Sequence, residues 1–424
     1  MRARSQIANT TIYLAFSIAS SGIGFLAVLV LTRLLPTSEY GRIGLFFSAL
    51  YFIAPLVSIA ADGLVSVNKS TLSPERYRTF QQTYVGLAMM CFGACQLVTT
   101  ALWLSGIIPD ALIMAAPAFA LVRFFATMAG TEYVMEQRAI TYGSLTLATS
   151  AIGLLLTITL CWVFGGSSVY RVFSMFLADL ILLGIRYRGR SEILMKPRID
   201  SDFALQIFHF GVPSVIAIAG GWGLNEADKV IVAKTAGLSA TGIYTAAAAL
   251  AAIMATFNQS LTNALYPGLF RALGEDVRVR KVLATYVAKF ASLSSAFAVI
   301  GIGLYFLFAD RLLPARYLGG KSIFVALMLA GVATSIYRPF GLAADFYRLA
   351  RIRAVAVLVG GGGAIALGWF GISRDGNLLW APAGMACGYA LASLVTLVGL
   401  KLARQRTIRA ASPQQLEVRA ENQS

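Results

Sequence analysis

The sequence contains little charge and a single histidine in 424 residues. Charged residues make up 13% of the chain and hydrophobic residues 58%, whereas a soluble domain carries about 25% charged residues. His209 alone cannot build a histidine metal site or a catalytic triad. Four cysteines are present, all inside apolar stretches, so we expect free thiols and no disulfide. We therefore expect neither a metal nor another cofactor.

Acidic residues are scarce as well, which argues against an enzyme. The chain has 19 acidic and 35 basic residues. A membrane-bound sugar transferase needs a pair of acids in a loop, and the loop after the first apolar segment offers only Glu39. The run Gly319–Ser322 resembles the end of a phosphate-binding loop, but Ala315 stands where that motif needs glycine. Basic residues are spread along the chain, so the net charge of +16 indicates contact with anionic lipids and no nucleic-acid partner.

Long apolar runs are what the sequence does contain. A membrane helix needs about 20 apolar residues, and twelve runs approach or exceed that length. They cover residues 7–31, 42–61, 83–107, 111–131, 142–164, 169–185, 209–233, 241–264, 284–309, 322–346, 354–372 and 378–401. Continuous apolar runs favour helices over the alternating strands of a barrel. The sequence therefore predicts an all-α polytopic membrane protein with twelve transmembrane helices.

The distribution of lysine and arginine predicts the orientation. Most basic residues fall in the segments on the same side of the membrane as the N-terminus, which places both termini in the cytoplasm. The longest polar interior stretch separates two sets of six spans. We expect an N-terminal lobe over residues 1–186, a cytoplasmic linker over 187–206, a C-terminal lobe over 207–403 and a disordered cytoplasmic tail over 404–424.

A short pattern occurs once in each half. Arg33, Pro36, Ser38 and Gly41 are matched by Lys234, Gly237, Ser239 and Gly242 at a constant offset of 201 residues (242 minus 41). Each copy lies between the first and second apolar segments of its half. Two parallel six-helix halves are typical of transporters whose site lies where the halves meet. We therefore predict two pseudo-symmetric lobes, with Arg33, Gly41, Lys234 and Gly242 forming a repeated gate motif.

Charged residues inside the predicted spans are the main candidates for a site. Ionisable side chains in a membrane usually face a bundle interior or a wet cavity. Arg123 lies in the fourth span, Asp179 in the sixth and Arg338 in the tenth. Each is a candidate for solute binding or ion coupling. The alternative, which the sequence leaves open, is a locally paired structural charge.

The seventh span carries the densest polar cluster. Asn225, Glu226, Asp228 and Lys229 occupy one arc of about 160° on a helix. Subtracting the repeat offset of 201 maps them onto positions within the apolar first span, which indicates that they lie within the membrane. A polar helix face buried in a bundle is what a solute pathway needs. A shallow cluster with internal pairing between Asp228 and Lys229 is the other interpretation.

Several motifs together resemble a known family. They are the stretch 31–36 with Glu39 to Gly41, Asp62 to Leu64 at the end of the second span, 228–231, 242–244 and Pro267. In this order they resemble the polysaccharide, O-antigen type, flippases of the multidrug/oligosaccharidyl-lipid/polysaccharide exporter superfamily. The resemblance extends to about residue 403. Arg123 and Arg338 have no fixed counterpart in that family.

The resemblance implies two lobes around a central cavity and movement of an undecaprenyl-diphosphate-linked oligosaccharide across the bacterial inner membrane. Arg123, Lys229, Arg338 and Asn225 would bind this lipid-linked substrate. Asp228, Glu226 and Asp179 would couple the cycle to protons or sodium. Membrane lipids, a polysaccharide polymerase and other assembly proteins would be partners. Two alternatives stay open: an ion-coupled drug or metabolite exporter of the same superfamily, and a membrane-bound sugar transferase or polymerase.

Overall fold

The fold is built from helices throughout the residues that the structure, a computed structural model, describes: 2–108, 110–188, 198–275 and 279–410. Thirteen α-helices lie in these ranges. They are α1 Arg2–Leu34, α2 Thr37–Val57, α3 Asp62–Thr71, α4 Pro74–Leu104, α5 Ala116–Met135, α6 Ala139–Phe164, α7 Ser168–Arg186, α8 Ser201–Asn225, α9 Ala227–Glu275, α10 Val279–Leu312, α11 Lys321–Phe346, α12 Ala350–Asp375 and α13 Trp380–Ala410. Short 3₁₀ helices at Ala111–Ala115 and Ala315–Gly320 precede α5 and α11.

These helices confirm the predicted fold class. In the described ranges, twelve segments are long and apolar enough to cross a membrane. The chain is therefore a multi-pass membrane protein. α2 and α3 together form the second span, Thr37–Thr71. The seventh predicted span, 209–233, consists of most of α8 and the first turns of α9, with Glu226 between them.

The linker and the tail differ from their predicted extents. α8 begins at Ser201, inside the predicted linker, because Asp200 Oδ1 accepts hydrogen bonds from the backbone N–H groups of Asp202 and Phe203. Residues 189–197 of the linker lie outside the described residues. α13 continues to Ala410, so its last residues fall within the predicted tail. The remainder of the tail, 411–424, is not among the described residues.

The two copies of the repeat motif meet each other at equivalent positions. A Cβ on Gly41 would lie 3.0 Å from Gly242 N, and a Cβ on Gly242 would lie 3.1 Å from Gly41 N. One turn further, a Cβ on Gly44 would lie 2.2 Å from Thr245 Oγ1, again at an offset of 201 residues. α2 and α9 therefore cross backbone to backbone. We call the end of the molecule that holds these motifs the motif end, and the opposite end the linker end.

An arginine of the C-terminal lobe seals the motif end further. Arg316 Nη2 donates to the carbonyls of Thr32, Arg33 and Leu35 at 2.9, 2.9 and 3.1 Å. Tyr317 OH also donates to Leu35 O at 3.2 Å. These carbonyls are the unsatisfied acceptors at the C-terminus of α1. The 3₁₀ helix before α11 thus caps a helix of the other lobe.

Candidate functional site

Three neighbouring cavities in the N-terminal lobe share one charged residue, Arg123. The largest has a volume of about 560 Å³ and lies among α5, α6 and α7. A second, of about 220 Å³, adds residues of α1. A third, of about 240 Å³, is lined by α2 and α5 together with Ile218 of α8, so it reaches the interface between the lobes. Arg123 therefore borders both the interior of its lobe and the other lobe.

α7 places three charges along one face. Arg171, Asp179 and Arg186 are eight and seven residues apart, so a rotation of 100° per residue keeps them within about 80° of one another. At about 1.5 Å per residue they extend over roughly 22 Å, most of the membrane's apolar depth. Asp179 and Arg186 line the largest cavity, and Arg171 and Asp179 line the second.

The charges of this face are incompletely paired. Arg123 Nε lies 3.3 Å from Asp179 Oδ2, but this oxygen accepts no hydrogen bond. Arg171 Nη1 donates to Thr157 Oγ1 at 3.2 Å, and Arg186 Nη2 donates to Thr149 Oγ1 at 3.4 Å. The buried atoms Arg171 Nε and Arg186 Nη1 have no hydrogen-bond partner. In the largest and the second cavity, which we call the two inner cavities, three guanidinium groups thus face one carboxylate. These cavities therefore have an excess of positive charge and hydrogen-bond donors without partners.

Hydroxyl groups line the same cavities because α6 presents small polar residues at helical spacing. Thr146, Thr149 and Ser150 lie on the wall of the largest cavity. α5 contributes Thr127 and Thr131 to it, and α1 contributes Ser20 to the second cavity. Ser20 Oγ is itself buried without a hydrogen-bond partner. The cavities therefore offer many hydroxyl donors and acceptors beside the arginines.

The polar cluster of the seventh span surrounds a helix break in the C-terminal lobe. Glu226 has φ −131° and ψ −22° between the end of α8 and the start of α9. Lys229 Nζ lies 2.7 Å from Glu226 Oε2 and 3.7 Å from Asp228 Oδ1. Tyr244 OH donates to Asp228 Oδ2 at 2.6 Å. The charges predicted to bind substrate or ions here are thus engaged with one another.

The remaining predicted residues of the C-terminal lobe have partners of their own. Tyr389 OH donates to Asn225 Oδ1 at 2.9 Å. Arg338 Nη1 donates to Gln259 Oε1 at 3.0 Å. None of the cavities described above is lined by Arg338 or by the cluster from Asn225 to Lys229. The predicted substrate residues are therefore divided between the lobes, with Arg123 in one and Asn225, Lys229 and Arg338 in the other.

The gate motif residues behave differently from one another. Gly41 and Gly242 form the crossing of the two lobes. Arg33 Nη2 donates to Leu312 O at 3.4 Å, at the surface of the motif end, and Lys234 is exposed there. Glu39, from the resemblance motif, accepts hydrogen bonds from Ser168 N and Ser168 Oγ, both at 2.7 Å, and so caps α7. The motif therefore combines lobe contact with helix capping.

Sequence reasoning missed three arginines that the structure places at key positions. Arg171 lies at the start of the predicted sixth span and Arg186 directly after its end, and neither was a candidate, although their spacing with Asp179 is a signal that a helical projection of 168–186 detects. Arg316 also looked like a loop charge. No local pattern identifies its role, because its acceptors lie about 280 residues earlier in the chain.

Comparisons with known proteins agree with this architecture. The inward-facing conformation of a multidrug resistance MATE family transporter of the MOP superfamily matches with a TM-score of 0.68 at 11% identity, covering 95% of this chain and 99% of that one. The lipid II flippase MurJ in its inward closed conformation matches with a TM-score of 0.58 at 11% identity, covering 92% and 87%. A Vibrio cholerae MATE transporter matches with a TM-score of 0.58 at 12% identity, covering 96% and 99%. At these identities the likeness establishes the fold.

Sequence comparison identifies the family. No curated protein matches the chain. A family model described as "Polysaccharide biosynthesis protein" matches residues 30–317, which include the repeat motifs of both lobes, the three cavity arginines and the broken seventh span. The fold is that of MOP-superfamily transporters and flippases, and the chain belongs to the polysaccharide biosynthesis protein family.

Proposed function

We propose that this protein is a flippase that moves an undecaprenyl-diphosphate-linked oligosaccharide across the bacterial inner membrane by alternating access, with both termini in the cytoplasm. The observation that carries the proposal is a pair of hydroxyl-lined cavities bordered by Arg123 of α5 and by the charged face of α7. Three guanidinium groups, from Arg123, Arg171 and Arg186, face only Asp179 in the two inner cavities. A polysaccharide polymerase and other assembly proteins would act on the product.

The chemistry of this cargo fits the cavities. A diphosphate and a glycan cannot cross hydrocarbon without polar partners. Guanidinium groups bind phosphate oxygens through paired, charge-assisted hydrogen bonds, and Arg171 and Arg186 each retain a buried nitrogen without a partner. The threonine and serine hydroxyls of α5 and α6 suit sugar hydroxyls. The polyprenyl tail needs no polar site and would remain in the lipid.

The same features disfavour the alternatives. An exporter of cationic drugs would need excess negative charge where this protein has excess positive charge. A sugar transferase would need acids free to act at the motif end. There, Glu39 is occupied by Ser168 and Arg42, and Asp110 is occupied by Arg42 and the N–H of Leu112. These acids have structural partners.

Complementation of a flippase-deficient strain tests the proposal. R123A, R171A and R186A should each reduce glycan export at equal protein level by about tenfold or more, the effect of losing one charged hydrogen bond of about 1.4 kcal/mol or more. R123K keeps the charge but not the paired donors, and should restore export only in part. R311A removes an exposed arginine outside the cavities and is the matched control.

The outcome that would overturn the proposal is equally clear. Export at the control level by all three cavity variants would show that these arginines do not hold the cargo. Measuring the protein level in each strain distinguishes a loss of transport activity from a loss of protein from the membrane. Retained export of a neutral-headed cargo, with loss of the diphosphate-linked one, would assign the arginines to the phosphate groups.

A further inference from the structure

The break in the seventh span is held by hydrogen bonds to the other lobe. α8 ends at Asn225 and α9 begins at Ala227. Glu226 N still donates to Trp222 O at 2.8 Å, but the Glu226 carbonyl accepts a hydrogen bond from Ser48 Oγ of the other lobe at 2.8 Å. Trp222 Nε1 in turn donates to Ser48 O at 3.0 Å. The break is thus joined to α2 of the other lobe.

An ammonium group lies beside this break, against the side chain of Glu226. Lys229 Nζ lies between the carboxylates of Glu226 and Asp228, at 2.7 and 3.7 Å. Lys229 is only 9% exposed. The other oxygen atom of Asp228 accepts the hydrogen bond from Tyr244 OH, and its Oδ1 also accepts one from the backbone N–H of Lys229 at 2.7 Å. Both carboxylates therefore converge on one buried positive charge.

Small cations bind where carboxylates and backbone carbonyls converge. Discontinuous membrane helices coordinate monovalent cations through carbonyls at the broken ends and nearby carboxylates. Two partly buried carboxylates that share a neighbour in this way are stabilised by a positive charge between them. In this protein the positive charge belongs to Lys229, which lies in α9 three residues after Glu226.

We propose that Lys229 is a tethered counter-cation, which stands in the position that a free sodium ion would take at this helix break. The C-terminal lobe of this protein consequently needs no bound metal cation to hold the break together. Lys229 is a positioning residue: it sets the geometry of Glu226, whose carbonyl meets Ser48 across the lobe interface. This inference does not depend on the identity of the cargo.

The proposal predicts that removing the ammonium creates a cation requirement. K229A leaves two carboxylates facing a space vacated by three methylene groups and an ammonium. A buried charge without its partner is strongly destabilising, so a small cation from solution gains a binding site. K229A/E226Q removes one carboxylate charge as well and restores the net charge of the wild-type cluster.

Thermal unfolding of the purified full-length protein in detergent is the test, with NaCl exchanged for choline chloride at constant ionic strength. The wild-type midpoint should not depend on which salt is present. The K229A midpoint should be lower in choline and should rise with Na⁺ along a saturable curve, as binding to the folded state requires. K229A/E226Q should lose most of this response. Ethylammonium, which resembles the deleted group, should also stabilise K229A.

Two results would overturn the proposal: a saturable, Na⁺-specific stabilisation of the wild type, or a K229A midpoint that is the same in Na⁺ and choline. If K229A does not fold, K229N supplies an amide to the carboxylates and should show the same Na⁺ response. A cargo assay is not involved, so the outcome is independent of whether glycan export by the arginine variants behaves as proposed above.

Discussion

The contact between Gly41 and Gly242 predicts that a single methyl group at position 242 will open the motif end. A Cβ at this position would lie 1.8 Å from Thr37 O and 2.7 Å from Thr37 C. Close carbon–oxygen contacts in proteins are about 3.3 Å, so the helices must separate by roughly 1.5 Å. The atoms that would clash are backbone atoms, which cannot rotate away as a side chain can.

The magnitude follows from the cost of overpacking. An inserted methyl in a packed contact costs about 1–3 kcal/mol, and a gap of about 1 Å forfeits up to half of the dispersion attraction across the seam. Only the conformation in which α2 and α9 touch bears this cost. A loss of about 2 kcal/mol shifts the equilibrium between closed and open motif ends roughly thirtyfold toward the open form.

Cysteine labelling measures this shift. Thr245 is 7% exposed and faces Gly44 at the crossing, so T245C in a background without the four native cysteines reports access from the motif end. We expect G242A to raise the rate of labelling by a membrane-impermeant maleimide about thirtyfold. G41A, whose Cβ would lie 2.2 Å from Leu238 O, should act in the same direction with a smaller effect.

The controls are glycines with free space around them. A Cβ on Gly93 or Gly303 would meet nothing within 4 Å, so G93A and G303A should label as slowly as the parent. Labelling of G242A at the parent rate would refute the reasoning, because it would mean that the crossing adjusts locally without separating the lobes.

Three further predictions follow from other contacts. R316A should also speed labelling of T245C, because the carbonyls of Thr32 and Arg33 at the end of α1 lose their Arg316 donor; R316K, with one point charge, should lie between R316A and the parent, and equal rates for all three would show that Arg316 does not hold the motif end closed. D179N should keep its shape and protein level but remove the charge beside Arg123; if Asp179 couples transport to protons, glycan export in vesicles should lose its dependence on an imposed pH gradient, and an unchanged dependence would exclude this role. E39A should lower the free energy of unfolding by about 1–2 kcal/mol, because the cap of α7 at Ser168 is lost; an unchanged unfolding midpoint would show that the cap does not stabilise the lobe.

The helices were predictable from sequence because their cause is local. A run of about 20 apolar residues has no other way to satisfy its backbone in a membrane than to become a helix. The observed helix ends differ from the predicted ones where a capping residue sets them. The Asp200 carboxylate, for example, caps the start of α8 inside the predicted linker. The continuation of α13 to Ala410 escaped prediction because polar residues were taken to end the helix.

The residues of the site were predictable only in part. An isolated charge in an apolar run signals a polar site, which is how Arg123, Asp179 and the cluster at Asn225 to Lys229 were found. What each charge does depends on its partner. Arg123 and Asp179 lie on different helices, so their pairing depends on the tertiary structure. Arg171 and Arg186 lie near span ends, where an arginine ordinarily reaches the membrane surface, so their place on the cavity wall was not apparent.

The sequence by itself determined the membrane class, the twelve spans and the 201-residue repeat, because hydropathy and spacing are properties of the chain alone. Only the tertiary structure decided that the repeated glycines Gly41 and Gly242 meet backbone to backbone, that the free donors of Arg171 and Arg186 share cavities with Asp179, and that Lys229 is enclosed by carboxylates. The physical reason is range. Helix formation depends on neighbours within a turn, whereas a close approach or an electrostatic partner depends on residues that folding brings together from distant parts of the chain.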